Sequence, residues 1–151
     1  IPSGVTNINE TAFSACASLK SIVIPKGVTS IGDRAFLSCT SLADITIPES
    51  VITIGIDAFG DTAYYSNTDN WQDGVLYIDK ALIGIESYTF NKTNEYNIKD
   101  GTNVIADYAF YNGRTLEKLT IPSTVKSIGH KAFGGCRALN NIAIPESVIY
   151  I

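Results

Sequence analysis

The stretch Ile24-Pro25-Lys26-Gly27-Val28-Thr29-Ser30-Ile31-Gly32-Asp33-Arg34-Ala35-Phe36-Leu37-Ser38-Cys39-Thr40-Ser41-Leu42-Ala43-Asp44-Ile45-Thr46 decides the fold, because it recurs along the chain. Copies open at Ile1, Ile24, Ile47, Ile98, Ile121 and Ile144, and five of these openings hold every proline: Pro2, Pro25, Pro48, Pro122 and Pro145. Phenylalanine keeps the same beat. Phe13, Phe36 and Phe59 lie 23 apart (36 − 13 and 59 − 36), as do Phe110 and Phe133. A fixed period between about 20 and 50 residues is the mark of a solenoid, in which stacked units share one core.

The interval from Ile47 to Ile98 is 51 residues, which is not a multiple of 23. Ile78 to Ile85 aligns without gaps on Ile24 to Ile31 and carries Phe90 onto the phenylalanine position. The expected units are therefore 1–23, 24–46, a lengthened 47–77, a shortened 78–97, 98–120, 121–143 and a partial 144–151, all in one domain. A β-hairpin over Val75 to Ile85, turning at Asp79-Lys80, is the rival reading. It is set aside because Asp-Lys lacks the glycine that tight hairpin turns favour.

Within a unit, Leu19-x-x-Ile22-x-Ile24 ends in the period-2 spacing of a strand, with Ile22 and Ile24 inward and Ser21 and Val23 outward. Proline stops the strand because it supplies no ladder N–H. Val28-x-x-Ile31 is a second inward stretch, and Gly32 to Phe36 is long enough only for one helical or 3₁₀ turn. Stacking sets Ile8, Ile31, Ile54, Ile85, Ile105 and Ile128 in one ladder and the phenylalanines in another. The expected fold is a right-handed array of short parallel strands with short helical or 3₁₀ turns, roughly 30 Å long at about 4.8 Å per coil. Its parallel sheet is expected near Ile22, Ile45, Leu76, Tyr96, Leu119 and Ile142.

The run Cys39-x-x-Leu42-x-x-Ile45-x-Ile47-Pro48, followed by Val51-x-x-Ile54-Gly55 and Ala58-Phe59, resembles the BspA-like class of bacterial leucine-rich repeats, also described from treponemal surface proteins. The resemblance covers nearly the whole chain. The asparagine of ordinary leucine-rich repeats is missing, so no asparagine ladder supports the turns. The resemblance implies a non-enzymatic module at the bacterial cell surface that adheres to host matrix proteins or to other bacteria.

Composition narrows the alternatives. The chain has 151 residues, 45% of them apolar, with 11 basic and 15 acidic residues for a net charge of −4. The charges are scattered without a basic stripe, which argues against nucleic acid. No apolar run is long enough for a transmembrane helix. With no methionine, and with both ends inside the repeat, the chain reads as a piece of a longer protein whose oligomeric state the sequence leaves open.

No catalytic, metal or cofactor motif stands out. Cys16, Cys39 and Cys136 share one repeat position and read as small buried apolar residues; a Cys16–Cys39 disulfide between adjacent coils is geometrically allowed. The lone His130 occupies a turn slot matched with Glu10, Asp33, Asp57, Ser87 and Asp107, a pattern of surface tolerance rather than of a triad. Carboxylate pairs such as Asp69 with Asp73, or Glu49 with Asp44, have no visible cleft around them. Gly134-Gly135 reads as turn chemistry, and the sequons Asn9-Glu10-Thr11 and Asn91-Lys92-Thr93 as chance matches.

Two surfaces are candidates for recognition. One is the outer sheet face, with Ser21, Asp44, Val75, Glu95, Lys118 and Asn141 in one ladder and Val23, Thr46, Tyr77, Asn97, Thr120 and Ala143 beside it. The other is the lengthened segment Gly60 to Gly74, with Tyr64, Tyr65 and Trp71 next to Tyr77. Insertions in repeats map to loops and often bind partners, and Trp and Tyr are enriched at binding hot spots. The alternatives are a merely soluble sheet face and an aromatic plug over the irregular units. The partner expected is a protein, with a glycan as a second option. The competing function is a passive spacer carrying another catalytic or anchoring domain, and carbohydrate degradation comes last.

Overall fold

In the computed structural model the described residues are 1–90 and 92–151, so the sequon at Asn91 lies outside them. The strands in chain order are β1 (Asn7–Ile8), β2 (Ser21–Val23), β3 (Ser30–Ile31), β4 (Asp44–Thr46), β5 (Thr53–Ile54), β6 (Trp71–Gln72), β7 (Val75–Ile78), β8 (Ala81–Ile85), β9 (Glu95–Asn97), β10 (Val104–Ile105), β11 (Lys118–Thr120), β12 (Ser127–Ile128) and β13 (Asn141–Ile142). Two one-turn helices, α1 (Ala63–Ser66) and α2 (Ser87–Phe90), lie within the irregular units, one before β7 and one after β8. The chain is a β-solenoid of about six turns.

The regular coils follow the repeat. Strand β2 lies parallel to β4 with Ile22 opposite Ile45, and β9, β11 and β13 are parallel with Glu95, Lys118 and Asn141 in register. Ile8, Ile31 and Ile54 stack across β1, β3 and β5. Ile24 is buried while Val23 is 68% exposed, as the period-2 pattern requires. The rings of Phe13, Phe36 and Phe59 lie parallel with centroids 5.1 and 5.4 Å apart. Each inward side chain contributes roughly 1.5–3 kcal/mol through burial, but only once a neighbouring coil covers it.

The segment after Ile31 is a pair of hydrogen-bonded turns rather than a helix. Arg34 and Ser38 have φ of 53° and 58°, and the same left-handed positions recur at Thr11 and Ala15, Asp57 and Asp61, and Tyr108 and Asn112. That conformation costs roughly 1–2 kcal/mol for a residue with a Cβ. What it gains is a row of N–H groups aimed along the axis. Arg34, Phe36 and Ser38 donate to the carbonyls of Ile56, Ala58 and Gly60 at 2.8–2.9 Å. Tyr108, Phe110 and Asn112 donate likewise to His130, Ala132 and Gly134.

An aspartate reinforces the same seam. Asp33 Oδ1 accepts from the Ile56 N–H at 3.0 Å, and Asp107 Oδ1 accepts from the His130 N–H at 2.7 Å. The slot of Asp33 and Asp107 thus sutures one coil to the next and is more than a tolerant surface position. Ile56, not Asp57, is its member in the third coil. Asp57 shares the left-handed φ of Arg34, so it belongs one place further on.

The irregular units differ from the sequence expectation. Strands β7 and β8 form the rival hairpin, with Ile78 opposite Ala81, and β6 adds to β7 in antiparallel fashion. Asp79 takes φ 51° in place of a glycine, and its carboxylate accepts the Ile47 N–H at 2.7 Å, which anchors the turn on the third coil. Leu82, not Ile85, lies opposite Ile105, so the gap-free alignment of Ile78 on Ile24 does not hold. Val75 and Leu76 are fully buried in this hairpin and take no place on the parallel sheet. Phe90 nevertheless reaches the phenylalanine column, 5.6 Å from Phe110. Leu82 to Phe90 is 8 residues where Ile105 to Phe110 is 5; the extra three are absorbed by Ile83-Gly84-Ile85 leading into α2.

All three cysteines are free. Cys39 and Cys136 donate Sγ–H to the carbonyls of Phe13 and Phe110 on the preceding coils, and burial pushes both thiols up in pKa. Cys16, on the first coil, is exposed rather than buried.

The closeness of the seam explains the glycine after Ile31, Ile54 and Ile128. A Cβ on Gly55 would meet the Asp33 carboxylate and lie 2.5 Å from the Asp33 nitrogen, whereas one on Gly4 would meet nothing within 4 Å. Gly55→Ala should therefore lower stability by about 1–3 kcal/mol, the usual cost of overpacking. Gly4→Ala should stay within about 0.5 kcal/mol. Chemical denaturation of the two variants beside the wild type checks this, and equal midpoints would refute the close-stacked seam.

Candidate functional site

The lengthened segment is built on Thr62. Its buried hydroxyl donates to the Phe59 carbonyl at 2.9 Å and accepts the Tyr65 N–H at 3.1 Å, capping α1. The Tyr64 N–H then donates to the Leu42 carbonyl at 2.8 Å, docking the helix on the second coil. A single turn of helix is marginal on its own, so cap and docking hold it.

Consecutive helix positions point Tyr64 and Tyr65 apart. Tyr64 packs on the core and donates its hydroxyl to the Tyr77 carbonyl at 3.0 Å; burial pushes its phenol up in pKa. Tyr77 in turn shares a hydroxyl hydrogen bond of 3.2 Å with Tyr96 and lies beneath the Lys99 ammonium at 5.4 Å. Burial first, and then the bond to Tyr77, hold the Tyr96 phenol well above its ordinary range. Tyr64 and Tyr77 thus brace the hairpin against the coils on either side.

Tyr65 and Trp71 face outward together. Their rings meet edge to face at 5.1 Å and 87°, and the indole Nε1–H donates to the Tyr65 carbonyl at 2.7 Å. Tyr65 is 37% exposed. The pair walls a groove of about 720 Å³ shared with Asp61, Ser66, Thr68, Asp73 and Glu86. Burial, followed by the charges of Asp57, Asp61 and Glu86, raises the Tyr65 pKa, so negative potential converges on its ring.

Tyr65 also borders a second hollow of about 330 Å³. One wall is the turn from Gly55 to Gly60, the other carries Asp107, Tyr108 and Tyr111, and Ile83-Gly84-Ile85 forms the floor. The walls meet where the Asp107 N–H donates to the Ile54 carbonyl at 2.9 Å. This wedge exists because β8 leaves the stack after Leu82.

The sheet-face residues are divided by the hairpin. Asp44 and Thr46 lie on β4, paired only with β2, while Glu95, Asn97, Lys118 and Thr120 lie on the separate sheet of β9, β11 and β13. All six are exposed. Lys118 Nζ stands 3.6 Å from Glu95 Oε2 above a shallow depression of about 540 Å³. Tyr77 belongs to neither parallel sheet.

The remaining polar candidates have structural partners. Glu49 pairs with Lys80 at 2.5 Å, which holds its carboxyl below the usual range, and the His130 ring meets Tyr108 edge-on at 5.8 Å. Among the described residues no group of three or more His, Cys, Asp or Glu is placed to hold a metal, and no helix is long and apolar enough to cross a membrane. Sequence reasoning missed that Asp57 and Asp107 line the wedge and Asp61 the groove beside it. The available signal was Asp73-Gly74, a strong turn pair that joins β6 to β7 next to the hairpin that interrupts the stack.

Comparison with known proteins agrees with this architecture. The model of the BspA type leucine rich repeat region matches in six copies over residues 1–78 and 63–151. Among solved structures, a leucine-rich repeat protein from Bacteroides ovatus is 30% identical over 95% of this chain and 36% of its own, with a TM-score of 0.46. The T. pallidum leucine rich repeat protein is 25% identical over 99% of this chain and 71% of its own, at 0.48. A leucine-rich repeat protein from Eubacterium ventriosum is 24% identical over 99% of this chain and 54% of its own, at 0.51. The chain thus spans about a third of the length of the first and about half of the last. No curated protein matches it. A repeat model that accounts for both ends of the chain, on a solenoid built coil by coil from that repeat, places the protein in the BspA-type leucine-rich repeat family.

Proposed function

We propose that residues 1–151 act as one non-enzymatic recognition domain of a bacterial surface protein, adhering to a host matrix protein or a bacterial surface protein. Family membership supports a protein-interaction repeat module at the cell surface. The observation that carries the reading to a site is the Tyr65–Trp71 pair. A solenoid is stabilised by nearest-neighbour stacking and does not require an insertion, yet this one fixes two aromatic rings at its surface through their own backbone bonds. Rigid, amphipathic aromatics of this kind are where binding energy concentrates. The face bearing Glu95, Asn97, Lys118 and Thr120, with Asp44 and Thr46 beyond the hairpin, supplies a polar surround.

A spacer role is the second reading, favoured by Tyr64 and Tyr77, which join the two halves of the stack as a structural brace. The two readings separate in one experiment. Tyr65→Ala/Trp71→Ala should leave the melting temperature within a few degrees of wild type while weakening capture of a matrix-protein ligand at least tenfold, about 1.4 kcal/mol. Glu95→Ala/Lys118→Ala should weaken it less. Lost stability with unchanged capture would assign the aromatic pair to the brace and favour the spacer.

A further inference from the structure

The wedge between the third and fifth coils presents an unfinished row of hydrogen bonds. In regular coils the N–H groups at the two left-handed positions and at the phenylalanine between them donate to the next coil: Thr11, Phe13 and Ala15 to Asp33, Ala35 and Leu37, and Arg34, Phe36 and Ser38 to Ile56, Ala58 and Gly60. Asp57, Phe59 and Asp61 hold those positions in the third coil. Among the described residues their N–H groups have no backbone acceptor. Across the wedge, the carbonyls of Asp107, Ala109 and Tyr111, which correspond to Asp33, Ala35 and Leu37, likewise accept no bond from a neighbouring coil. Donors at every second residue on one wall and acceptors at every second residue on the other match the main chain of an extended peptide, the basis of strand addition. Row groups without protein partners fall to water or to a ligand.

The charge around the slot selects what enters. Asp57, Asp61 and Asp73 have no ion-pair partner among the described residues; Asp61 and Asp73 line the groove of Tyr65 and Trp71 with Glu86, and Asp57 lines the wedge beside Tyr65. Lys131 of the sixth coil lies 5.6 Å over Tyr108, which forms the far rim on the fifth coil. A cation over an aromatic face gains roughly 0.5–2 kcal/mol, more as water is excluded, and carboxylates beside the ring add to it. Gly84 on the floor leaves room: a Cβ there would meet only the Ala109 carbonyl, at 3.8 Å.

We propose that this wedge receives an extended, arginine- or lysine-bearing segment of a protein partner, its main chain on the open row at Asp57, Phe59 and Asp61 and its basic side chain against Tyr65 and Trp71. The proposal rests on the recognition-module reading and names the chemistry of the partner.

Trp71 is the sole tryptophan, so its fluorescence reports occupancy of the groove in the intact chain. The probes are a capped Gly/Ser octapeptide carrying two arginines, the same peptide with two glutamates, an uncharged version, and N-acetyl-arginine amide. The arginine peptide should change Trp71 emission saturably and bind at least tenfold more tightly than the acidic or uncharged peptide. It should also bind more tightly than N-acetyl-arginine amide, which lacks a row of main-chain groups. Asp57→Asn/Asp61→Asn should weaken binding at least fivefold without changing the melting temperature, since asparagine also tolerates the left-handed backbone. Glu146→Gln, at an exposed acid on the last partial unit, should leave it unchanged. Equal response to all peptides, or unchanged binding by the double asparagine variant, would overturn the proposal. A protein ligand lost on Tyr65→Ala/Trp71→Ala but retained by Asp57→Asn/Asp61→Asn would overturn the cationic occupant alone and leave the recognition module standing.

Discussion

The structure depends on hydrogen bonds between coils made by residues in an unfavourable backbone conformation. Left-handed φ at Arg34, Ser38, Tyr108 and Asn112 turns three N–H groups per coil along the axis. The conformational cost is offset only when a neighbouring coil supplies carbonyls and covers the phenylalanine. That makes one coil unstable alone and the stack cooperative. The same constraint fixes the sequence: glycine where the Asp33 or Asp107 carboxylate crosses the seam, alanine before phenylalanine, and proline where the strand row must end.

The hairpin of β7 and β8 is a departure from that scheme, and the candidate site is its consequence. By leaving the stack after Leu82, the chain interrupts the hydrogen-bonded row at Asp57, Phe59 and Asp61 while α2 returns Phe90 to its column. Core continuity is kept and seam continuity is given up. Tyr64, Tyr77 and Tyr96 bridge the interruption from within, and Tyr65 and Trp71 border it from outside. The aromatic residues of one insertion thus serve both packing and exposure, and consecutive positions on α1 separate the two.

Periodicity made the regular coils legible. Ile22 opposite Ile45, Lys118 between Glu95 and Asn141, and the parallel rings of Phe13, Phe36 and Phe59 follow from a 23-residue count alone. The irregular units were misread because Phe90 sits on register by a detour rather than by an aligned strand, and because aspartate at Asp79 took the left-handed position that glycine usually signals. Asp73-Gly74, the turn between β6 and β7, is a hairpin signal that the 23-residue count overlooks. The roles of Asp33 and Asp107 were not legible, since a side chain that caps the next coil looks in sequence like any exposed acid. The split of Tyr64 from Tyr65 depended on a helix turn too short for periodicity to reveal.

Amide hydrogen exchange resolved by residue tests the central claim most directly. The N–H groups of Arg34, Phe36, Tyr108 and Phe110 are bonded to the next coil, so they should exchange only through opening of the stack. Those of Asp57, Phe59 and Asp61 face the wedge and should exchange at least a hundredfold faster, although Phe59 carries a ring as buried as that of Phe36. Equal protection of Phe59 and Phe36 would contradict the account, because it would mean that the seam continues through the irregular units and the wedge is closed.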